Sequence, residues 1–116
     1  GDELPLVTVS ASLRDAIVSM SRHRLGITGI CEDGKLVGCL SDGDLRRVME
    51  SGHVDLEVSV SALMHPSPRT IEADHLASEA VRVMEEHKVT VLFITDGASV
   101  PTGVVHMHDL LKAGVA

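Results

Sequence analysis

The feature that most constrains this chain is that it repeats itself. "TVSASLRDAIVSMSRHRLGITGICEDGKLVGCLSDGDL" and "TIEADHLASEAVRVMEEHKVTVLFITDGASVPTGVVHMHDL" carry their elements in the same order. Ala16 and Ala80, Met20 and Met84, and His23 and His87 stand 64 residues apart. Gly38 and Gly103, Asp44 and Asp109, and Leu45 and Leu110 stand 65 apart, so one residue is gained in a turn. A chain built this way folds as two copies of one supersecondary unit.

Periodicity says what that unit is. Leu13, Ala16, Ile17 and Met20 fall at i, i+3, i+4 and i+7, as do Ala77, Ala80, Val81 and Met84 later with Leu76 beside them, and each set is the buried stripe of a helix. Two short β-rich runs follow each stripe, 27–31 with 36–40 and 91–95 with 102–105, separated by "EDGK" and "DGASVP". Segments 44–49 and 109–113 are helical in pattern. Each repeat therefore reads strand, helix, strand, strand, helix, an α/β (α+β) unit. One unit alone is too small to cover both faces of its sheet, so the two are expected to pack about a pseudo-two-fold axis with a cleft between them. The divisions are 1–52 for the first repeat, 53–68 for a connector with a helical turn near 62–64, and 69–116 for the second repeat.

Seventeen acidic against ten basic side chains give a net charge of −7, which opposes binding to nucleic acid. The longest apolar runs are too short to cross a bilayer and no leader opens the chain, so a soluble, cytoplasmic protein with no membrane partner is expected. Phe93 is the single aromatic residue, so a bound base would be gripped by aliphatic side chains. With a two-residue turn at Asp33-Gly34, Cys31 faces Leu36 and Cys39 faces Thr28. The cysteines are then offset by three residues, roughly 10 Å at strand rise and too far for a disulfide. Free thiols suit a reducing compartment.

The chemistry concentrates in "GCLSDGDLRR", residues 38–47. Ser41 and Asp44 have the spacing of a capping box at a helix start. At the matching place the second repeat has "GVVHMHDL", where Asp109 is kept but His106, a poor N-cap, replaces the serine. On this reading the repeats share a glycine, an apolar pair and an aspartate at a strand-to-helix junction rather than a cap. Such an aspartate can accept hydrogen bonds from the adjacent hydroxyls of a ribose.

The duplicated glycine, apolar pair, hydroxyl and aspartate resemble a tandem pair of CBS motifs, a resemblance that covers nearly the whole chain. It implies a regulatory module that binds adenosyl or other nucleotides between its repeats, with Asp44 and Asp109 on ribose and Ser41 beside the first. "LSDGDLRR" and "HMHDLLKAGV", with "LPLV" and "TIEADHLASEAVRVMEEHKVTVLF", further resemble the C-terminal CBS pair of bacterial arabinose 5-phosphate isomerases. In that family a sugar isomerase domain, absent from this chain, interconverts ribulose 5-phosphate and arabinose 5-phosphate. The product feeds synthesis of 3-deoxy-manno-octulosonate (Kdo) for lipopolysaccharide.

The resemblance makes the end product CMP-Kdo, or an adenine nucleotide, the candidate regulatory ligand, with no cofactor required. Arg46 or Arg47 would meet its phosphate and His106 and His108 a carboxylate; Thr28 and Thr90 complete the ligand-binding set. Ligand would select one arrangement of the repeats. A homodimer of pairs, within a full-length tetramer, is implied as well. No catalytic residue is assigned, because no serine, cysteine or histidine sits in a recognisable nucleophile setting. Two other classes stand beside this one. One is a dimerisation module only. The other is a metal-dependent hydrolase using His106 and His108, set at i and i+2 to face the same way, with Asp42, Asp44 or Asp109. His23 and His87 are expected to cap the ends of equivalent helices.

Overall fold

A computed structural model describes residues 4–113, leaving aside the side chains of 76–78. The elements run β1 (Leu6–Thr8), α1 (Leu13–His23), β2 (Ile27–Glu32), β3 (Lys35–Ser41) and α2 (Asp42–Glu50). A 3₁₀ turn (Val60–Ala62) and β4 (His65–Pro66) follow, then β5 (Thr70–Glu72), a 3₁₀ turn (Ala73–His75), α3 (Leu76–His87), β6 (Val91–Thr95), β7 (Pro101–His106) and α4 (Met107–Lys112). The chain divides into two compact units, up to Pro68 and from Arg69, each a small sheet with helices.

In the first unit the strand order is β1-β2-β3-β4 and in the second β5-β6-β7. β1 lies parallel to β2 and β5 parallel to β6, a pairing that needs a crossover, which α1 and α3 provide. The registers are the same one repeat apart: Val7 pairs with Ile30 and Ile71 with Ile94. Both hairpins also carry an irregularity at equivalent points, Ile30/Cys31 and Ile94/Thr95.

The helix stripes bury as their spacing requires. Leu13, Ala16, Ile30, Leu40 and Val60 form the first core; Ile71, Ala80, Met84, Leu92, Val105 and Leu110 form the second. Each large aliphatic side chain so buried contributes about 1.5–3 kcal/mol. The expected places of Leu76 and Ala77 lie outside the described side chains. Both long helices end with a residue at positive φ, Arg24 and Lys88, each at +57° and each with its N–H on the carbonyl of the methionine four residues back.

Two details differ from what the sequence predicts. Asp33 and Gly34, at φ +54° and +80°, do make the two-residue turn, and Cys31 does pair with Leu36. The bulge beyond it shifts the ladder, so Cys39 faces Gly29, and Thr28 faces Leu40. Both cysteines are free. The turn in the connector falls at Val60–Ala62, two residues before its expected place, because Val60 is drawn into the core.

The connector is also less passive than its composition suggests. Leu56 and Val58 pack on the first core and turn their carbonyls to the start of α1, where Leu13 N–H donates to Val58 O and Arg14 N–H to Leu56 O, each at 2.9 Å. With Asp15 N–H on Ser12 Oγ at 3.1 Å, the first-turn donors that a helix cannot satisfy internally are all taken. Arg14 adds an ion pair to Glu57 at 2.8 Å.

Candidate ligand-binding site

The candidate residues gather at two strand-to-helix junctions, β3 to α2 and β7 to α4. Each junction is fixed by one backbone bond from the first helical residue to the loop before the hairpin. Asp42 N–H donates to Gly26 O at 3.0 Å, and Met107 N–H to Thr90 O at 2.7 Å. Gly26 sits at φ +73°, and a Cβ there would meet Asp42 Oδ2 at 2.8 Å, so close approach at this point depends on glycine.

At the first junction Ser41 is the N-cap of α2 in extended conformation. Its N–H and its hydroxyl both donate to Asp44 Oδ2, at 2.8 and 3.0 Å, while Asp44 N–H donates to Ser41 Oγ at 3.3 Å. The Arg47 guanidinium pairs with the other oxygen, Asp44 Oδ1. The carboxylate is thus held on both sides, its side chain 14% exposed against 69% for Arg47. Its charge reaches Cys39 behind it. Burial first, and Asp44 second, push the Cys39 thiol up to about 11, and burial raises Cys31 too. Neither is a thiol activated for nucleophilic work.

At the second junction the capping expectation is corrected. His106 is a working N-cap: its ring Nδ1 accepts the His108 N–H at 2.9 Å, and its own N–H donates to Asp109 Oδ2 at 3.3 Å. An imidazole with its proton on Nε2 offers at Nδ1 the lone pair that a serine offers at Oγ. The reciprocal cap is therefore common to both junctions. The same box recurs where no ligand was considered, between Ser12 and Asp15 at the start of α1. That "SLRD" has the spacing of "SDGD", so the spacing alone marks this cap in the sequence.

The histidine pair is corrected as well. α4 begins at Met107, so His106 ends a strand while His108 lies on a helix, and the alternation that would aim them together does not hold. Among the described residues no three His, Cys, Asp or Glu side chains are grouped to hold a metal ion. His108 and Asp109 are exposed, and no cation pairs with Asp109 among the described residues.

The two threonines do not occupy matching positions. Thr28 is fully buried, its hydroxyl donating to Pro5 O at 3.1 Å and lying 2.9 Å from Ser19 Oγ, so it serves the packing of α1 on the sheet. Thr90, exposed, stands where the first repeat has Gly26, 64 residues earlier, and serves its junction through its carbonyl. Arg46 is exposed on α2. His23 does not take the expected capping role: its Nδ1 lies 3.0 Å from Ser19 O, a carbonyl inside α1, and the C-cap is Arg24. His87 instead lies 3.6 Å from Glu86. Depressions of about 450 and 430 Å³ run along β1–α1 and β5–α3, and none of the candidate residues lines either. Among the described residues no helix is long and apolar enough to cross a membrane.

A family model described as "CBS domain" matches residues 2–51 and 60–116. The arabinose 5-phosphate isomerase KdsD of Escherichia coli (strain K12) is 42% identical over 116 residues, 99% of this chain and 35% of the enzyme. The chain thus spans about a third of the length of the curated relatives it matches. Among solved structures, CBSX2 in complex with AMP superposes with a TM-score of 0.82 at 24% identity, covering 97% of this chain and 87% of that one. A CBS domain protein of Pyrobaculum aerophilum complexed with AMP gives 0.80 at 18% identity, covering 100% and 95%.

Proposed function

This chain belongs to the CBS domain family, as a tandem pair, and we propose that it is the regulatory module of an arabinose 5-phosphate isomerase, sensing a nucleotide through Asp44 and Asp109. The observation that carries this reading is the duplicated junction. In each repeat an aspartate is fixed by a reciprocal cap at the start of a helix, in a chain 42% identical to such an isomerase over 116 residues. A carboxylate so held has little orientational freedom left to lose when it accepts the paired hydroxyls of a ribose.

The ligand is CMP-Kdo, as end-product feedback would require, or an adenine nucleotide, as carried by two proteins of this fold crystallised with AMP. The base would lie among aliphatic side chains and be read by backbone groups. Catalysis would reside in the isomerase domain of the parent enzyme, and ligand would alter it only as far as the two functional states differ in affinity. A second role is homodimerisation, the association that the resemblance to these isomerases implies.

A thermal-shift panel with CMP, CMP-Kdo, AMP, ATP and S-adenosylmethionine tests the reading. A ligand at 100 times its dissociation constant adds about 2.7 kcal/mol of stability, a rise of about 10 °C in a chain this size. A shift confined to CMP-Kdo identifies an end-product sensor, and one confined to AMP and ATP an energy sensor. No shift with any of the five leaves association as the function.

A further inference from the structure

We propose that Arg47 is a phosphate-operated latch on Asp44, so that the first junction admits nucleotides and turns away nucleosides; the inference rests on the nucleotide-binding reading above. Asp44 Oδ2 already accepts two hydrogen bonds from Ser41, which fill its lone-pair directions. A ribose diol, which donates twice, must therefore use both lone-pair directions of Oδ1, and the Arg47 guanidinium occupies one of them.

The latch is built to be released by an anion. Asp44 is shielded and fixed, whereas Arg47 is 69% exposed at the end of a flexible side chain and held by one i,i+3 ion pair, a contact that contributes little at a surface. A phosphate offers the guanidinium a bidentate partner of higher charge than a single carboxylate oxygen. A nucleotide thus exchanges one partner of Arg47 for another as its ribose takes Oδ1. A nucleoside must strip Arg47 from Asp44 and offer it nothing in return.

The second junction lacks the device. Lys112 stands 65 residues after Arg47, and among the described residues no cation pairs with Asp109. A lysine ammonium is a point charge without the planar fork that grips phosphate bidentately. Phosphate selectivity is accordingly a property of the first junction alone, and it is independent of the base.

Calorimetric titration with AMP, adenosine, CMP and cytidine tests this. Asp109→Ala leaves the first junction to report, and Asp44→Ala the second; thermal melts check that each variant is folded. In Asp109→Ala the nucleotide of whichever base binds is expected to exceed its nucleoside by tenfold to a hundredfold. In Asp109→Ala/Arg47→Ala the nucleotide should weaken about tenfold while the nucleoside holds or tightens, so the preference collapses; Arg47→Lys should restore only part of it. Asp44→Ala should show little preference.

Equal weakening of nucleotide and nucleoside by Arg47→Ala, or no change in either, overturns the latch while leaving nucleotide binding intact. If the unsubstituted chain binds none of the four probes and no CMP-Kdo, the nucleotide reading falls and takes the latch with it.

Discussion

The hydroxyls of Ser19 and Thr28 meet at 2.9 Å inside the first repeat, joining the middle of α1 to the second residue of β2. Thr28 also donates to Pro5 O, so one buried hydroxyl ties together the helix, the hairpin and the segment entering β1. Thr28→Val keeps the shape and removes both bonds, leaving the Pro5 carbonyl without this donor. The expected cost is about 1–3 kcal/mol in urea unfolding with nucleotide affinity unchanged. A loss of affinity at full stability would return Thr28 to the ligand site.

His106→Ala removes the acceptor for the His108 N–H and should cost about 0.5–2 kcal/mol, the usual size of an N-cap. His106→Ser should recover most of it, because a hydroxyl restores the arrangement of the first junction. Chemical denaturation of the three proteins measures both differences. If alanine and serine destabilise equally, the imidazole is acting by something other than its cap.

Cys39 should be slow toward thiol reagents near neutral pH, since its thiol is pushed up to about 11. Asp44→Asn removes the second cause, the nearby negative charge, and should speed the reaction, leaving burial as the brake. The same shift couples to stability. Below about pH 9 the thiol is protonated in folded and unfolded chains alike, and its contribution is fully present; it is lost as pH rises from there through 11. Unfolding free energies measured across that window should fall more steeply for the natural chain than for Cys39→Ala.

The positive φ of Arg24 and Lys88 offers a matched pair of stabilising changes. Glycine adopts that conformation without the Cβ clash, and it is the commonest residue at such helix ends. Arg24→Gly and Lys88→Gly are each expected to stabilise by about 0.5–1 kcal/mol in thermal or urea unfolding, less any favourable effect of their charges on the helix dipole.

Gly38 and Gly103 occupy the same position in the two repeats but should tolerate a methyl group differently. A Cβ at Gly38 would lie 2.5 Å from Met64 Sδ and 3.1 Å from the His65 carbonyl, whereas at Gly103 the nearest atom is Ile94 Cδ1 at 3.3 Å. Gly38→Ala should cost about 1–3 kcal/mol and Gly103→Ala clearly less. Equal losses would mean that β4 yields to the intrusion.

Repeat, helices, hairpins and the two aspartates were legible because each rests on a local signal: a period, a turn dipeptide, a spacing of three. What escaped was set by longer-range competition. The bulge that moved Cys39 opposite Gly29 leaves no mark in "GICEDGKLVGC". Leu56 and Val58 lie in a stretch that reads as polar, and the backbone bonds that tie them to the start of α1 join residues more than 40 positions apart. Histidine is rare as an N-cap, yet the ring nitrogen of His106 has the needed lone pair. The burial of Thr28 leaves no such signal, because a threonine opening a strand looks the same whether it faces solvent or a helix.

The carbonyls that Leu56 and Val58 lend to α1 alter where the first repeat can be said to stop. A fragment cut after residue 52, where composition places the border, would carry the whole strand-helix-hairpin-helix pattern and still lack two hydrogen-bond acceptors and the Val60 side chain. The transferable unit runs through β4. Anyone exchanging repeats between such proteins, or reading gene fragments for half-modules, should move the tail together with the repeat it follows.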